Sequence, residues 1–183
     1  LGLYQHNGLA FSEPMELLHL VLTGRQQRIP LVRGHLGQAL YTCRVIFGRE
    51  ALEIREPGEE KFAGIFGVKE YPATTRPGLW DGLLRAKYPF VATQSCAFLS
   101  KASARAILER KQNQLIKAND RAHSQADGLN DAIDDLVSNR FVMGEHQFSM
   151  LVYGASTKEL ADNMSAARAT LADSGLVVAR EDL

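Results

Sequence analysis

The residues that could do chemistry are His6, His19, His35, His123 and His146, the thiols Cys43 and Cys96, and the carboxylates Asp131, Asp134 and Asp135. The histidines share no i, i+4 or other metal-ligand spacing, and two cysteines are too few for a disulfide framework or a metal site. Glu145 and His146 are adjacent, so on a strand they point to opposite faces and read as a surface pair, not as a base and its orienter. Cys96 and Cys43 are each expected in a strand interior as small apolar residues, with no neighbouring base to make either a nucleophile. The three aspartates are helical neighbours whose plainest reading is a solvated face. Gly34-His35-Leu36-Gly37 and Gly64-Ile65-Phe66-Gly67 are bare Gly-x-x-Gly spacings. The phosphate cradle G-x-x-x-x-G-K-[ST] and even a Gly-Lys dipeptide do not occur in the 183 residues. Asn163-Met164-Ser165 matches a glycosylation sequon but falls inside a helical pattern. These residues suggest no catalytic, cofactor-binding or metal site.

The elements that would position them centre on residues 61–100. Phe62 to Val68 is an apolar run expected to be covered on both faces, with Gly64 and Gly67 marking close backbone approach or a bulge. Thr75, Pro77, Leu79, Trp80, Leu83 and Leu84 suggest a capped helix. Phe90 to Leu99 alternates with period two, as a strand does. Ahead of this unit, Ser12 caps a helix with Met15, Leu18 and Leu22 facing the core and Gly24 stopping it. Tyr4 to Phe11 reads as mixed and turn-like. Gly34 to Leu40 reads as a helical turn, and Tyr41 to Phe47 and Ala51 to Arg55 read as strands in hairpins.

After Ser100 the period changes. Leu108, Leu115, Ala122, Leu129 and Leu136 recur every seven residues, and a break between Lys117 and Gly128 turns the stretch into a helical hairpin packed on itself. Phe141 to Tyr153 returns to a strand. Ser156 and Glu159 form a capping box for a helix carrying Leu160, Met164, Ala167 and Leu171, and Leu176 to Ala179 is the last strand. The fold class is α+β: a ferredoxin-like split β-α-β sheet with helices on one face, a long helical hairpin insertion and an extra N-terminal helix and hairpin. We divide the chain into a lobe at 1–60 and a split β-α-β domain at 61–183 with the insertion at 101–139.

Lys and Arg together equal Asp and Glu, 21 each, and 45% of residues are hydrophobic, the balance of an ordinary water-exposed domain. Basic residues are scattered, so nothing singles out a nucleic-acid face. No stretch approaches the roughly 20 apolar residues of a membrane span. The first residue is Leu, which suggests a piece of a longer protein.

Four segments carry a family resemblance: FSEPMELLHLVLTG at 11–24, IPLVRGHLGQALYTCRVIFG at 29–48, residues 62–100 and residues 141–182. The most specific motifs are GVKEYP followed by Gly-Leu-Trp-Asp, the strand TQSCAFL, and FVMGEHQF. In these the chain resembles the region ahead of the motor in the type IV secretion and conjugation ATPases, the CagE/TrbE/VirB family. The resemblance implies a bacterial protein, cytoplasmic and peripheral to the inner membrane, whose downstream P-loop domain uses ATP and Mg to drive DNA or protein transfer or pilus biogenesis. It implies for this stretch a non-catalytic module, without cofactor, that docks to inner-membrane components of the machine, with self-association through the full-length protein and no direct nucleic acid. The exposed face of the hairpin, at Arg105, Arg110 and Lys117, is the candidate partner surface. The alternative reading is a single-stranded nucleic-acid-binding domain using sheet aromatics such as Phe62, Phe66, Phe148 and Tyr153. A small enzyme built on Cys96 or His146 is a third.

Overall fold

The computed structural model describes residues 2–56, 58–117 and 123–182, without the side chains of 117 and 123–126. The chain forms two compact units, one of residues 1–93 and 148–183 and the other of residues 94–147. Strands β6 (Phe90–Phe98) and β7 (Gly144–Gly154) run through both.

The larger unit opens with a hairpin, β1 (Leu3–His6) and β2 (Leu9–Ser12). Its two-residue turn is Asn7-Gly8, both at positive φ, which matches the right-handed twist of the flanking strands. Ser12 then caps α1 (Glu13–Thr23), its Oγ accepting from the Met15 amide, and Gly24 closes the helix in the left-handed region at φ 68°. A short α2 (Leu36–Leu40) follows. Met15, Ile29 and Leu40 form a small core of their own.

The main sheet is α+β in its dressing and antiparallel at each pairing that gives it its order. Strands β3 (Arg44–Phe47), β4 (Leu52–Glu56) and β5 (Glu59–Glu70) are consecutive antiparallel neighbours. The path runs β3-β4-β5-β7-β6, and β8 (Val177–Arg180) also pairs with β5. β5 is long enough to hold two partners end to end on one edge: β4 takes residues 59–63, β8 takes residues 66–70, and β7 takes residues 62–67 on the other edge. The ladder to β8 shifts between Val68 and Glu70, and an alanine methyl at Gly64 would meet Met164 at 3.0 Å. The close approach expected at Gly64 is present, and the ladder irregularity falls beyond Gly67, between Val68 and Glu70.

Alternation along the strands feeds two cores. Phe66, Phe148, Met150 and Val152 point to one face, where α5 (Thr157–Asp173) lays Leu160, Met164, Ala167 and Leu171 over them. Burial of such side chains stabilises by about 1.5–3 kcal/mol each. Cys43, Leu52, Ile54, Ala63 and Tyr153 point to the other face. There the end of α1 is anchored: Lys61 Nζ donates to the Gly24 carbonyl at 2.9 Å, and Gly24 lies against the Tyr153 ring. The sheet is therefore covered on both faces, as the apolar run of β5 suggested, although the split β-α-β pattern had put helices on one face only.

Two further expectations change. The helix expected around Pro77 to Leu84 is a run of turns ending in a 3-10 turn at Leu83–Arg85. Gly78 and Gly82 each cost about 1 kcal/mol of helix propensity, and what fixes the segment is tertiary: Trp80 stacks on Phe148 at 4.7 Å and the Ser174 hydroxyl donates to the Leu79 carbonyl. On α1 the buried residues are Met15, His19 and Thr23, while Leu17, Leu18, Val21 and Leu22 are exposed. The polar pair is buried with most of its groups partnered: His19 Nδ1 lies 2.8 Å from the Leu40 carbonyl and Thr23 Oγ1 donates to the His19 carbonyl, while His19 Nε2 is buried with no partner among the described residues.

In the smaller unit, α3 (Lys101–Lys117) and α4 (His123–Val137) form the hairpin, two helices and not one. The Ser100 hydroxyl caps α3 by accepting from the Ser103 amide at 3.1 Å. The centre of the expected break, 118–122, lies outside the described residues. Ala104 and Leu136 are buried, and Gln112 Nε2 donates to Asn130 Oδ1 across the pair. Of the heptad leucines, Leu136 is buried and Leu108, Leu115 and Leu129 are half-buried.

Candidate functional site

The histidines lie apart. His6 stands at the hairpin edge with Arg28 Nη1 donating to its Nε2 at 2.6 Å. His19 is buried in α1, His35 precedes α2, and His146 is exposed beside exposed Glu145, the surface placement their adjacency suggested. The side chain of His123 lies outside the described residues. Among the described residues no three His, Cys, Asp or Glu side chains converge as metal ligands.

Cys43 is buried, and burial with the negative field of Glu56 raises its thiol pKa, so it is held as a neutral apolar group. Cys96, expected inside, is exposed. The reason is its strand: from Ala92 to Phe98 every side chain of β6 is open to solvent, so the alternation marks two exposed faces. Of the aspartates, Asp135 accepts from Arg140 at 2.7 Å, and all three stand on the outer side of α4 around an open depression.

The candidate partner surface is on α3. Arg105 is exposed and donates to Glu109 at 2.6 Å, one turn along. Arg110 is exposed and borders a shallow groove with Ala106, Glu109, Asn113 and Gln114. These residues share one open stretch of helix. The side chain of Lys117 lies outside the described residues.

One polar cluster has no sequence signal. Arg25 joins Glu56, and Glu59 at 2.9 Å, around a cavity of about 10 Å³ with Thr23, Ile54 and Lys61. Its volume is that of roughly one water, too small for a cofactor. It ties the end of α1 to the β4–β5 turn and serves the fold.

The four aromatics of a possible base-stacking sheet face are in the core. Phe66, Phe148 and Tyr153 are buried and Phe62 is half-buried. No stacking platform is open at those positions.

The whole chain, residues 1–183, matches the CagE, TrbE, VirB family, described as a component of the type IV transporter system. The chain belongs to this family. It is 54% identical over its full length to the type IV secretion system protein VirB4 of Bartonella quintana and 42% identical to the VirB4 protein of Agrobacterium tumefaciens. It is also 35% identical, over 93% of its length, to the type IV secretion system protein PtlC of Bordetella pertussis. The chain spans 23% of the length of the VirB4 relatives and 21% of PtlC. Matches to VirB4 and PtlC proteins alike place this CagE/TrbE/VirB chain among bacterial type IV secretion components. No described helix is long and apolar enough to cross a membrane.

Proposed function

We propose that this stretch is a non-catalytic module of a type IV secretion ATPase, one that docks the motor to inner-membrane channel components and supports assembly for DNA or protein transfer or pilus biogenesis. Membership of the secretion family along all 183 residues carries the reading. In this reading ATP and Mg act in a domain downstream, and the module holds no cofactor. It works at the cytoplasmic side, peripheral to the inner membrane, and its partners are proteins of that machine.

The surface proposed for docking is the outer face of α3. Arg105, Arg110 and Lys117 recur along the helix, and the two described side chains are exposed. Exposed ion pairs such as Arg105 with Glu109 contribute about 0.3–0.5 kcal/mol, so the fold does not depend on them. Charge reversal at Arg105, Arg110 and Lys117 together is expected to leave thermal unfolding of the module unchanged. It should weaken capture by the membrane components tenfold or more, read by pull-down from solubilised inner membrane. Unchanged capture removes this surface, and intact assembly of the apparatus after deletion of the module removes the docking reading itself.

A further inference from the structure

The two helices of the hairpin carry opposite charge. α3 holds five basic residues and one acidic one, whereas α4 holds four aspartates and neither Lys nor Arg. Among the described residues no ion pair joins the two helices, so α4 does not neutralise α3. Glu109, the one carboxylate of α3, is held by Arg105. Arg110 and Lys111 have no ion-pair partner among the described residues.

A groove of about 350 Å³ opens beside these two cations, between α3 and the chain entering β7, lined by Ile107, Leu108, Arg110, Lys111, Gln114 and Met143. Ile107, Lys111 and Gln114 follow at i, i+4 and i+7 with Leu108 beside them, so one stripe of the helix forms a wall. Met143 stands across from it, its backbone fixed where the Leu99 amide donates to its carbonyl at 2.9 Å. Ile107, Leu108 and Met143 are half-buried, and Arg110 and Lys111 are exposed. The groove thus has an apolar floor and a cationic rim, with no carboxylate among its lining residues.

That combination selects an occupant. Apolar side chains laid on the floor are stabilised by about 25 cal/mol for each Å² they remove from water. Carboxylates beside them meet the two cations in charge-assisted hydrogen bonds. A nucleic-acid backbone would use the cations and leave the floor bare. A bilayer takes apolar side chains that stand out from a surface, and here they are recessed. The unbranched side chain of Met143 adapts to an irregular partner. An amphipathic segment with acidic residues flanking its apolar anchors satisfies floor and rim together.

We propose that the groove between α3 and Met143 binds an acidic amphipathic peptide segment of another protein. Its apolar side chains lie against Ile107, Leu108 and Met143, and its carboxylates meet Arg110 and Lys111. The proposal rests on the docking reading and gives it a partner chemistry.

The test uses the 183-residue chain with carbon-13 in its methionine methyls. Met15, Met150 and Met164 are buried, so Met143 reports on the groove and the other three report on the fold. The probe is an acetylated peptide of three Leu-Glu-Glu-Leu repeats. It is expected to shift the Met143 resonance in a saturable titration and to leave the other three in place. Replacing its Leu by Ser, or its Glu by Gln, should weaken binding about tenfold or more, the first by removing buried surface and the second by removing charge. Lys111→Glu should weaken it about tenfold with circular dichroism unchanged, while Lys158→Glu, which reverses an exposed charge on α5, should bind as the parent does. A Met143 resonance that never shifts overturns the proposal, as does an equal loss in Lys111→Glu and Lys158→Glu. So does a Met143 shift produced by phosphatidylglycerol vesicles or a single-stranded oligonucleotide and not by the peptide. If reversal of Arg105, Arg110 and Lys117 abolishes membrane capture while the peptide leaves Met143 unmoved, docking stands and the groove proposal falls.

Discussion

Tyr153 carries a hydroxyl that is buried with no hydrogen-bond partner among the described residues, and burial pushes its pKa from 10.0 up to about 12. A phenol that ionises later in the folded chain than in the unfolded one stabilises the fold fully below pH 10. That contribution is lost as pH rises toward about 12, because the unfolded chain releases its proton first. Tyr153→Phe keeps the ring against Gly24 and removes the group that cannot be satisfied. Its stability at pH 7 is expected to stay within about 1 kcal/mol of the parent or to exceed it. Urea unfolding between pH 9 and 12 should show a smaller alkaline decline in the variant, and parallel curves would refute this account. The two cysteines show how little a residue type alone decides: both lie on or beside strands, and one is sealed while the other faces water.

At the scale of elements, the ends of helices were legible and their buried faces were not always so. Ser12, Gly24, Ser156 and Glu159 act locally, on amides within a few residues, so their roles could be read in the sequence. The faces of α5 were legible too, since its four apolar positions recur at the helical period and meet the sheet. On α1 the same reasoning selected the leucines, yet His19 and Thr23 are inside, where carbonyls twenty-one residues and one turn away meet His19 Nδ1 and Thr23 Oγ1. The termini make a quantitative contrast. Ser156→Ala loses a cap worth about 1 kcal/mol. Gly24→Ala forces a left-handed residue that also places its methyl 2.6 Å from the Tyr153 ring, and should cost more than about 2 kcal/mol. Denaturant midpoints of the two variants check the ordering, and a larger loss at Ser156 would contradict it. The turn Asn7-Gly8 was a signal in plain view, the favoured pair for a two-residue hairpin.

For the molecule as a whole, the sheet decides which functions have a surface. Phe62, Phe66, Phe148 and Tyr153 are spent in two cores, one under α5 and one against the end of α1, while Phe47 and Phe98 at strand ends are exposed, and its basic residues are dispersed or paired. Affinity for single-stranded oligonucleotides, titrated by fluorescence anisotropy at low salt, is expected to be no greater than that of a neutral control protein. A salt-dependent interaction of micromolar strength or better would reopen the nucleic-acid reading. What lies open instead is protein-like: the flank of the hairpin, the leucines of α1 and the neutral edge of β6.

The sequence by itself determined the α+β class, most strand and helix positions, the hairpin, the capped α5 with its core face, and the secretion family. Those features rest on local periodicity, on caps that act within one turn, and on motifs that survive as strings of residues. Only the tertiary structure decided that β4 and β8 share one edge of β5, that the end of α1 closes over the second face of the sheet, that the Trp80 segment is a run of turns, and that Cys96 is outside. Each of these depends on partners far away in sequence, since strand pairing and side-chain burial are settled by what arrives from elsewhere in the chain and not by the residues' own neighbours.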